Sequence, residues 1–242
     1  MIELINITKK FGSFTAVNNL NLILQPGKIT AFLGPNGAGK TTTLKMLVGL
    51  MKPTAGEVKI NGFEFYSNQM ELKKIMSYIP DFPFLYERLT GIEYLEFVAG
   101  INDVPKDLSQ DSINKNLELF HISNVKNNLI TTYSHGMRQR LIFCAALLKK
   151  PKILIIDEPM VGLDPKTTRI FKIVLKELAS AGTLVFLSTH QLLVAEKLAD
   201  NLIIIDNGSI VAQGTLKQLL HNRHSDYNLE DFFLELTDKN SE

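Results

Sequence analysis

The 242-residue chain predicts an α/β fold with a mostly parallel central sheet, an antiparallel β subdomain and a helical insert. Three observations carry this. Gly34-Pro35-Asn36-Gly37-Ala38-Gly39-Lys40-Thr41 is a glycine-rich loop between the apolar run Lys28 to Leu33 and a helix-like run from Thr42 to Leu50. Between residues 153 and 206, short apolar runs alternate with helix-period segments, which implies a parallel sheet covered on both faces. From Asp81 to about Lys150 the texture changes, and helix-period segments dominate.

In chain order, Ile2 to Thr8 alternates apolar and polar with period two, as a half-buried strand does. Lys10 to Phe14 is a turn-like break with two aromatics. Val17 to Leu24 alternates again and stops at the Pro26-Gly27 turn. After the glycine-rich loop and its helix, Lys52 to Gly56 breaks the chain, and Glu57 to Ile60 reads as a strand closed by Asn61-Gly62. Met70 to Met76 has helical spacing, and Ser77 to Pro80 is a short buried strand. In the insert, Ile92 to Ala99, Gln110 to Phe120 and Gly136 to Lys149 read as helices, while Pro83 to Leu89 is unusually aromatic for a connection.

The α/β pattern resumes at Ile153 to Ile156, a buried strand ending in Asp157-Glu158. Asp164-Pro165 opens a helix as N-cap and first-turn proline, and Gly182 closes it. Leu184 to Ser188 is a strand, Gln191 to Leu198 a helix, and Leu202 to Asp206 a strand. Asn207-Gly208 then signals a hairpin into Ser209 to Ala212. The expected organisation is one nucleotide-binding domain over 1–220, with its core in 1–80 and 151–220 and a helical subdomain at about 81–150. The tail 221–242 carries a short amphipathic piece, Leu229 to Leu236.

Composition sets bounds. The chain is 45% hydrophobic and 21% charged, with a formal net charge of +1. That balance leaves no electrostatic footprint for nucleic acid, and no nucleic-acid partner is expected. The one cysteine, Cys144, lies in an apolar run and reads as a core residue. No apolar run reaches the roughly 18–20 residues that span a bilayer, so action at a membrane needs a partner that supplies the span.

The loop matches G-x-x-x-x-G-K-[ST] in strand–loop–helix context, the phosphate-binding pattern of P-loop NTPases. Its glycines let successive N–H groups converge on an anion, and the helix N-terminus adds unpaired donors. Lys40 is placed to reach the β- and γ-phosphates, and the Thr41 hydroxyl to ligate Mg²⁺. Asp157, at the carboxyl end of a neighbouring strand, suits the same metal, and Glu158 suits a general base for water. Ser134 and Gly136 sit at a helix start; taken alone they read first as an N-cap and turn, and alternatively as a second anion nest.

Taken in order, these pieces resemble one family. The phosphate loop, helical insert, serine–glycine helix start, strand with Asp-Glu, Gly162-Leu163-Asp164 and Ser188-Thr189-His190 are similar to the nucleotide-binding subunit of ABC transporters, from Ile2 to about Leu236. The resemblance implies an ATP-hydrolysing subunit with ATP and Mg²⁺ as cofactors. It places Phe11 against adenine with Val17 as a second contact, and Gly34, Pro35, Asn36, Gly37, Ala38, Gly39, Lys40, Thr41 and Thr42 around the phosphates. It assigns Asp157 and Thr41 to the metal, Glu158 as catalytic base and His190 as the γ-phosphate switch. Asp164 and the Tyr133 to Met137 signature, through Ser134 and Gly136, would complete the site of a second subunit, expected to be a second copy.

Two departures stand out. His135 and Met137 replace a glycine and a glutamine of the signature, and Asp81 stands where the family usually has a glutamine linking the metal to the membrane partner. The segment Phe82 to Leu89 would receive a transmembrane permease, with the chain on the cytoplasmic face of the membrane. The tail Asn228 to Leu234 is similar to the ending of bacterial exporter-type, ABC-2-like subunits, so export is expected over import. The competing readings are a soluble ABC ATPase of translation or DNA repair, which usually carries two cassettes or a coiled-coil insert, and a small-molecule kinase. The kinase leaves Ser134, Glu158 and His190 without a role.

Overall fold

The computed structural model describes residues 1–82, 84–160, 163–221 and 227–238. Pro83 in the aromatic stretch, Gly162 ahead of Leu163-Asp164, and parts of the tail lie outside the described residues.

The chain opens with β1 (Ile2–Phe11) and β2 (Phe14–Leu24), paired antiparallel across a two-residue turn. Strict alternation in β1 would bring Asn6 inward. Instead Asn6 adopts φ +51°, the register shifts, and Ile7 turns into the core while Asn6 stays exposed. The apolar run before the glycine-rich loop is β3 (Ile29–Leu33), buried along its whole length. The loop feeds α1 (Lys40–Leu47). β4 (Ala55–Ile60) and β5 (Phe63–Glu64) form a hairpin through Asn61 and Gly62, both at positive φ as a type I′ turn requires.

α2 (Gln69–Lys74) is followed by β6 (Met76–Ile79). Met76, expected at the end of the helix, begins the strand and pairs with Ile153. The insert holds α3 (Gly91–Ile101), α4 (Lys106–Leu119) and α5 (His135–Leu147). α3 starts at a capping box between Thr90 and Glu93, and α4 starts four residues before its expected position because its first turn follows Pro105.

The chain then runs through β7 (Ile153–Asp157), α6 (Pro165–Ser180), β8 (Leu184–Thr189), α7 (Leu192–Leu198), β9 (Asn201–Asp206) and β10 (Ser209–Gly214). It ends in α8 (Leu216–Leu219) and α9 (Leu229–Asp238), the latter covering the expected amphipathic piece.

The central sheet has the order β10-β9-β3-β8-β7-β6 and is parallel except for β10. Alternate residues feed two cores. Ala31, Leu33, Val185 and Leu187 face the helices of the insert and α6. Phe32, Phe186 and Ile155 face α1 and the antiparallel sheet β2-β1-β4-β5. Burial on both faces explains why β3, β7 and β8 read as unbroken apolar runs. It also brings the carboxyl ends of β3, β7 and β8 side by side, where ligands of such sheets bind. Cys144 is fully buried, and burial pushes its thiol pKa up.

Candidate active site

The glycine-rich loop is held by close packing on two sides. A Cβ on Gly34 would stand 2.3 Å from the Ile205 carbonyl, and one on Gly39 would stand 2.5 Å from the Ala16 carbonyl. Gly39 also sits at φ +106°. The Ala38 carbonyl accepts from Gly208 N–H at 3.0 Å, and the Gly208 carbonyl accepts from Asn18 N–H at 2.8 Å. The β9–β10 turn therefore fastens the loop to β2. Within the loop, Ala38 N–H donates to the Pro35 carbonyl, while Asn36 and Gly37 are exposed. Thr41 is exposed and Thr42 half-buried at the start of α1.

Lys40 is buried and folds back along the loop. Its Nζ donates to the carbonyls of Gly34 at 2.7 Å and Pro35 at 3.1 Å, and lies 4.0 Å from Glu158 Oε1. Burial pulls its pKa down, and the charges of Glu158 and Asp157 offset part of that shift. A buried ammonium facing its own loop carbonyls is a cation awaiting better acceptors, and phosphate oxygens supply them.

Opposite Lys40, β7 and β8 present four polar residues. Asp157 and Ser188 are register partners, and Ser188 Oγ donates to Asp157 Oδ1. The same hydroxyl accepts from Glu158 N–H at 3.2 Å. Glu158 turns out of the strand at φ +49°. Its Oε2 lies 3.0 Å from His190 Nδ1 and accepts from His190 N–H at 3.4 Å. Lys40, Glu158 and His190 thus form a chain of contacts through one carboxylate.

Asp157 is 1% exposed, and its Oδ2 has no hydrogen-bond partner. A buried carboxylate oxygen left unpaired is costly unless a cation or water meets it. Asp157 with the Thr41 hydroxyl therefore fits a divalent cation. Among the described residues no three His, Cys, Asp or Glu side chains converge into a protein-only metal cage. Mg²⁺ is commonly bound through one or two protein ligands, substrate phosphates and water. Asp81 faces the same cluster. Its pKa is pushed up by burial first and then by the charges of Asp157 and Glu158, with His190 and His135 pulling the other way.

The other expected residues lie apart from this cluster. Ser134 caps α5, its hydroxyl accepting from Met137 N–H at 3.3 Å. Asp164 caps α6, accepting from Thr167 N–H at 2.9 Å and Thr167 Oγ1 at 2.6 Å, and these bonds hold its carboxyl below the usual range. A Cβ on Gly136 would stand 3.9 Å from the Leu163 side chain, so the two helix starts adjoin. Phe11 is 48% exposed at the end of β1, whereas Val17 is fully buried. Val17 lies beneath the loop, its methyl 3.3 Å from where a Gly39 Cβ would stand.

Along the outer edge of the site, Phe82 and Phe84 are 87% and 83% exposed. Beside them, Tyr78, Pro80, Phe84, Tyr94 and Val98 line a cavity of about 400 Å³ between β6 and the insert. No described helix is long and apolar enough to cross a membrane. Two contributors carried a sequence signal but no site role in it. Ser188 appears only within the Ser188-Thr189-His190 motif and meets Asp157 through strand register, and Gly208 reads as a hairpin turn and anchors the loop.

A family model described as ABC transporter matches residues 17–161. The chain is 34% identical over 240 residues to the ABC-type transporter ATP-binding protein EcsA of Bacillus subtilis, covering 98% of this chain and 97% of that protein. It is 36% identical to the bacitracin transport ATP-binding protein BcrA of Enterococcus faecalis, over 94% of this chain and 73% of that one. A solved ATP-binding subunit of an ABC transporter superposes with a TM-score of 0.91 at 30% identity, over 98% of this chain and 99% of that chain. The ATP-binding cassette MJ0796, solved as a dimer in a post-hydrolysis state with ADP and Pi, superposes at 0.82 with 26% identity, over 89% and 99% of the two chains.

Proposed function

The chain belongs to the ABC transporter family as an ATP-binding, ATP-hydrolysing subunit, and we propose that the Lys40–Glu158–His190 contact chain is its hydrolytic centre. The observation that carries this reading is the single Glu158 carboxylate, shared between the ammonium of the phosphate loop and the imidazole that follows β8.

ATP enters with adenine against Phe11 and its phosphates on the N–H groups from Gly34 to Thr42. Lys40 exchanges the Gly34 and Pro35 carbonyls for β- and γ-phosphate oxygens. That exchange frees Glu158 from the ammonium, and its carboxylate takes the proton of the attacking water. His190, held at Glu158 Oε2, turns its ring toward the γ-phosphate and stabilises developing charge. Asp157 and Thr41 would hold Mg²⁺, with Asp81 beside them; when bound, the ion neutralises charge on the β- and γ-oxygens. Val17 supports the loop from beneath.

Ser134, Gly136 and Asp164 serve a second copy. The anion-binding N-terminus of α5 and the adjoining α6 cap form the far wall of the nucleotide site on the opposite subunit, giving two ATP in a homodimer. The core is 1–80 with 151–220, the helical subdomain about 81–150, and the tail 221–242. The exposed aromatics from Phe82 to Tyr86 receive a membrane permease, which places the chain on the cytoplasmic face and couples hydrolysis to export.

The test is Glu158→Gln. The amide keeps the volume but cannot accept the water proton, so ATP binding persists, turnover falls by a factor of about 10²–10⁴, and ATP accumulates a stable dimer in size-exclusion chromatography with light scattering. Steady-state hydrolysis at the parental rate would remove Glu158 from the chemistry.

A further inference from the structure

Arg138 lies on α5, one turn after Ser134, and each of its three guanidinium nitrogens has a partner. Nε donates to the Tyr133 carbonyl at 3.2 Å, NH2 donates to the Thr131 carbonyl at 3.3 Å, and NH1 pairs with the Glu87 carboxylate. The planar fork thus closes over the residues that lead into the Ser134 cap. From the other side, Thr131 N–H donates to the Glu87 carbonyl at 3.2 Å, and Ile130 N–H donates to the Leu89 carbonyl at 2.9 Å. The Tyr133 ring is sunk beneath α3, its hydroxyl donating to the Val125 carbonyl at 2.7 Å.

Glu87 also continues an aromatic cluster. Tyr86 packs edge-on to Phe84 at 5.8 Å and to Phe97 at 5.3 Å, and all three rings are partly or largely exposed. One covalent step separates Tyr86 from Glu87, one ion pair separates Glu87 from Arg138, and one hydrogen bond separates Arg138 from the carbonyl preceding Ser134.

We propose that Arg138 and Glu87 form a positioning clamp that sets Ser134 for the nucleotide of the second subunit and ties that setting to the exposed aromatic cluster. The clamp rests on the reading of Ser134 given above. Partly exposed ion pairs contribute little to fold stability, and here the pair's effect is geometric. A fork bonded to the Thr131 and Tyr133 carbonyls fixes the direction in which the α5 N-terminus points. A shift of the Phe84–Tyr86–Phe97 cluster pulls on Glu87 and therefore on that direction. Among the described residues the Arg138 guanidinium bonds Glu87, Thr131 and Tyr133, all outside the phosphate loop, so it is a positioning residue.

The experiment measures ATP-driven dimerisation of Glu158→Gln chains by sedimentation equilibrium, with the Kd of the monomer for a fluorescent trinitrophenyl-ATP as the second readout. Adding Arg138→Ala weakens the dimer at least tenfold while the monomer Kd stays within twofold. Arg138→Lys restores charge but not the fork, and recovers less than half of the loss on a logarithmic scale. Glu87→Gln weakens the dimer on its own, and its effect shrinks or vanishes beside Arg138→Ala, because the two act as one unit. Parental dimerisation by Arg138→Ala, full rescue by lysine, or additive effects of the two substitutions would each overturn the clamp. If Arg138→Ala also loses trinitrophenyl-ATP binding, Glu87→Gln decides alone, and dimerisation at parental strength by that variant overturns it. Failure of Glu158→Gln itself to dimerise with ATP sinks the shared-site reading instead.

Discussion

Ser188 and Asp157 face each other across β8 and β7, and the serine hydroxyl donates to Asp157 Oδ1 while accepting from Glu158 N–H. One buried hydroxyl therefore orients two carboxylates with different tasks. Holding Oδ1 leaves Oδ2 as the face of Asp157 that meets a cation. Holding the Glu158 N–H helps keep that residue in the left-handed region at φ +49°, a conformation that costs a non-glycine residue on the order of 1–3 kcal/mol.

Ser188→Ala tests this relationship. The alanine leaves Asp157 without a partner in a site 1% exposed, so unfolding stability without metal falls by about 1–3 kcal/mol. The Glu158 N–H keeps its bond to the Ser188 carbonyl at 3.2 Å, so the loss is not doubled. Urea midpoints in EDTA measure the effect, and turnover with Mg²⁺ falls in parallel because Asp157 loses the bond that aims Oδ2. An unchanged midpoint together with unchanged turnover contradicts the orienting role.

Two glycines of the loop separate steric demand from backbone demand. Gly37 and Gly39 both have positive φ, at +84° and +106°. Among the described residues a Cβ at Gly37 meets nothing within 4 Å, whereas one at Gly39 stands 2.5 Å from a backbone carbonyl. Gly37→Ala should cost only the left-handed penalty, about 1–2 kcal/mol, and retain ATP binding. Gly39→Ala has to displace β2 from the loop and loses most nucleotide affinity. Paired isothermal titrations with ATP measure the difference; equal losses in both variants would show that conformation alone governs the loop.

The loop, its strand and its helix were readable because every determinant lies in one continuous segment from Ile29 to Leu47. Asp157-Glu158 was readable for the same reason, as a polar end to an apolar run. Ser188 was seen only as part of a motif, since its bond to Asp157 depends on which strands are neighbours and in what register. Glu87 and Arg138 stand 51 positions apart, and nothing local in either segment announces the pair. The bulge at Asn6 was hidden for another reason: the run of apolar residues at 2, 4, 5 and 7 fits a regular strand as well as a kinked one. Val17 was expected beside adenine only through the family resemblance; its side chain is fully buried, a methyl 3.3 Å from where a Gly39 Cβ would stand.

Asp81 supplies a pH signature with a definite sign. Its folded pKa is raised above the ordinary 3.8, by burial and then by Asp157 and Glu158. In the unfolded chain the carboxyl loses its proton first as pH rises, so unfolding stability falls from the ordinary pKa up through the raised one and then levels. Asp81→Asn removes that fall. In EDTA, the stability of the variant minus that of the parent is therefore near zero at low pH and climbs to a positive plateau toward neutral pH. Mg²⁺–ATP reverses the preference. A charged Asp81 beside Asp157 then faces a cation, so the parent gains more stability from Mg²⁺–ATP than the asparagine variant does. Urea unfolding across the pH range, with and without Mg²⁺–ATP, reads both signs. A difference that stays flat with pH, or an equal gain from Mg²⁺–ATP, would place Asp81 outside the charged cluster around the phosphates.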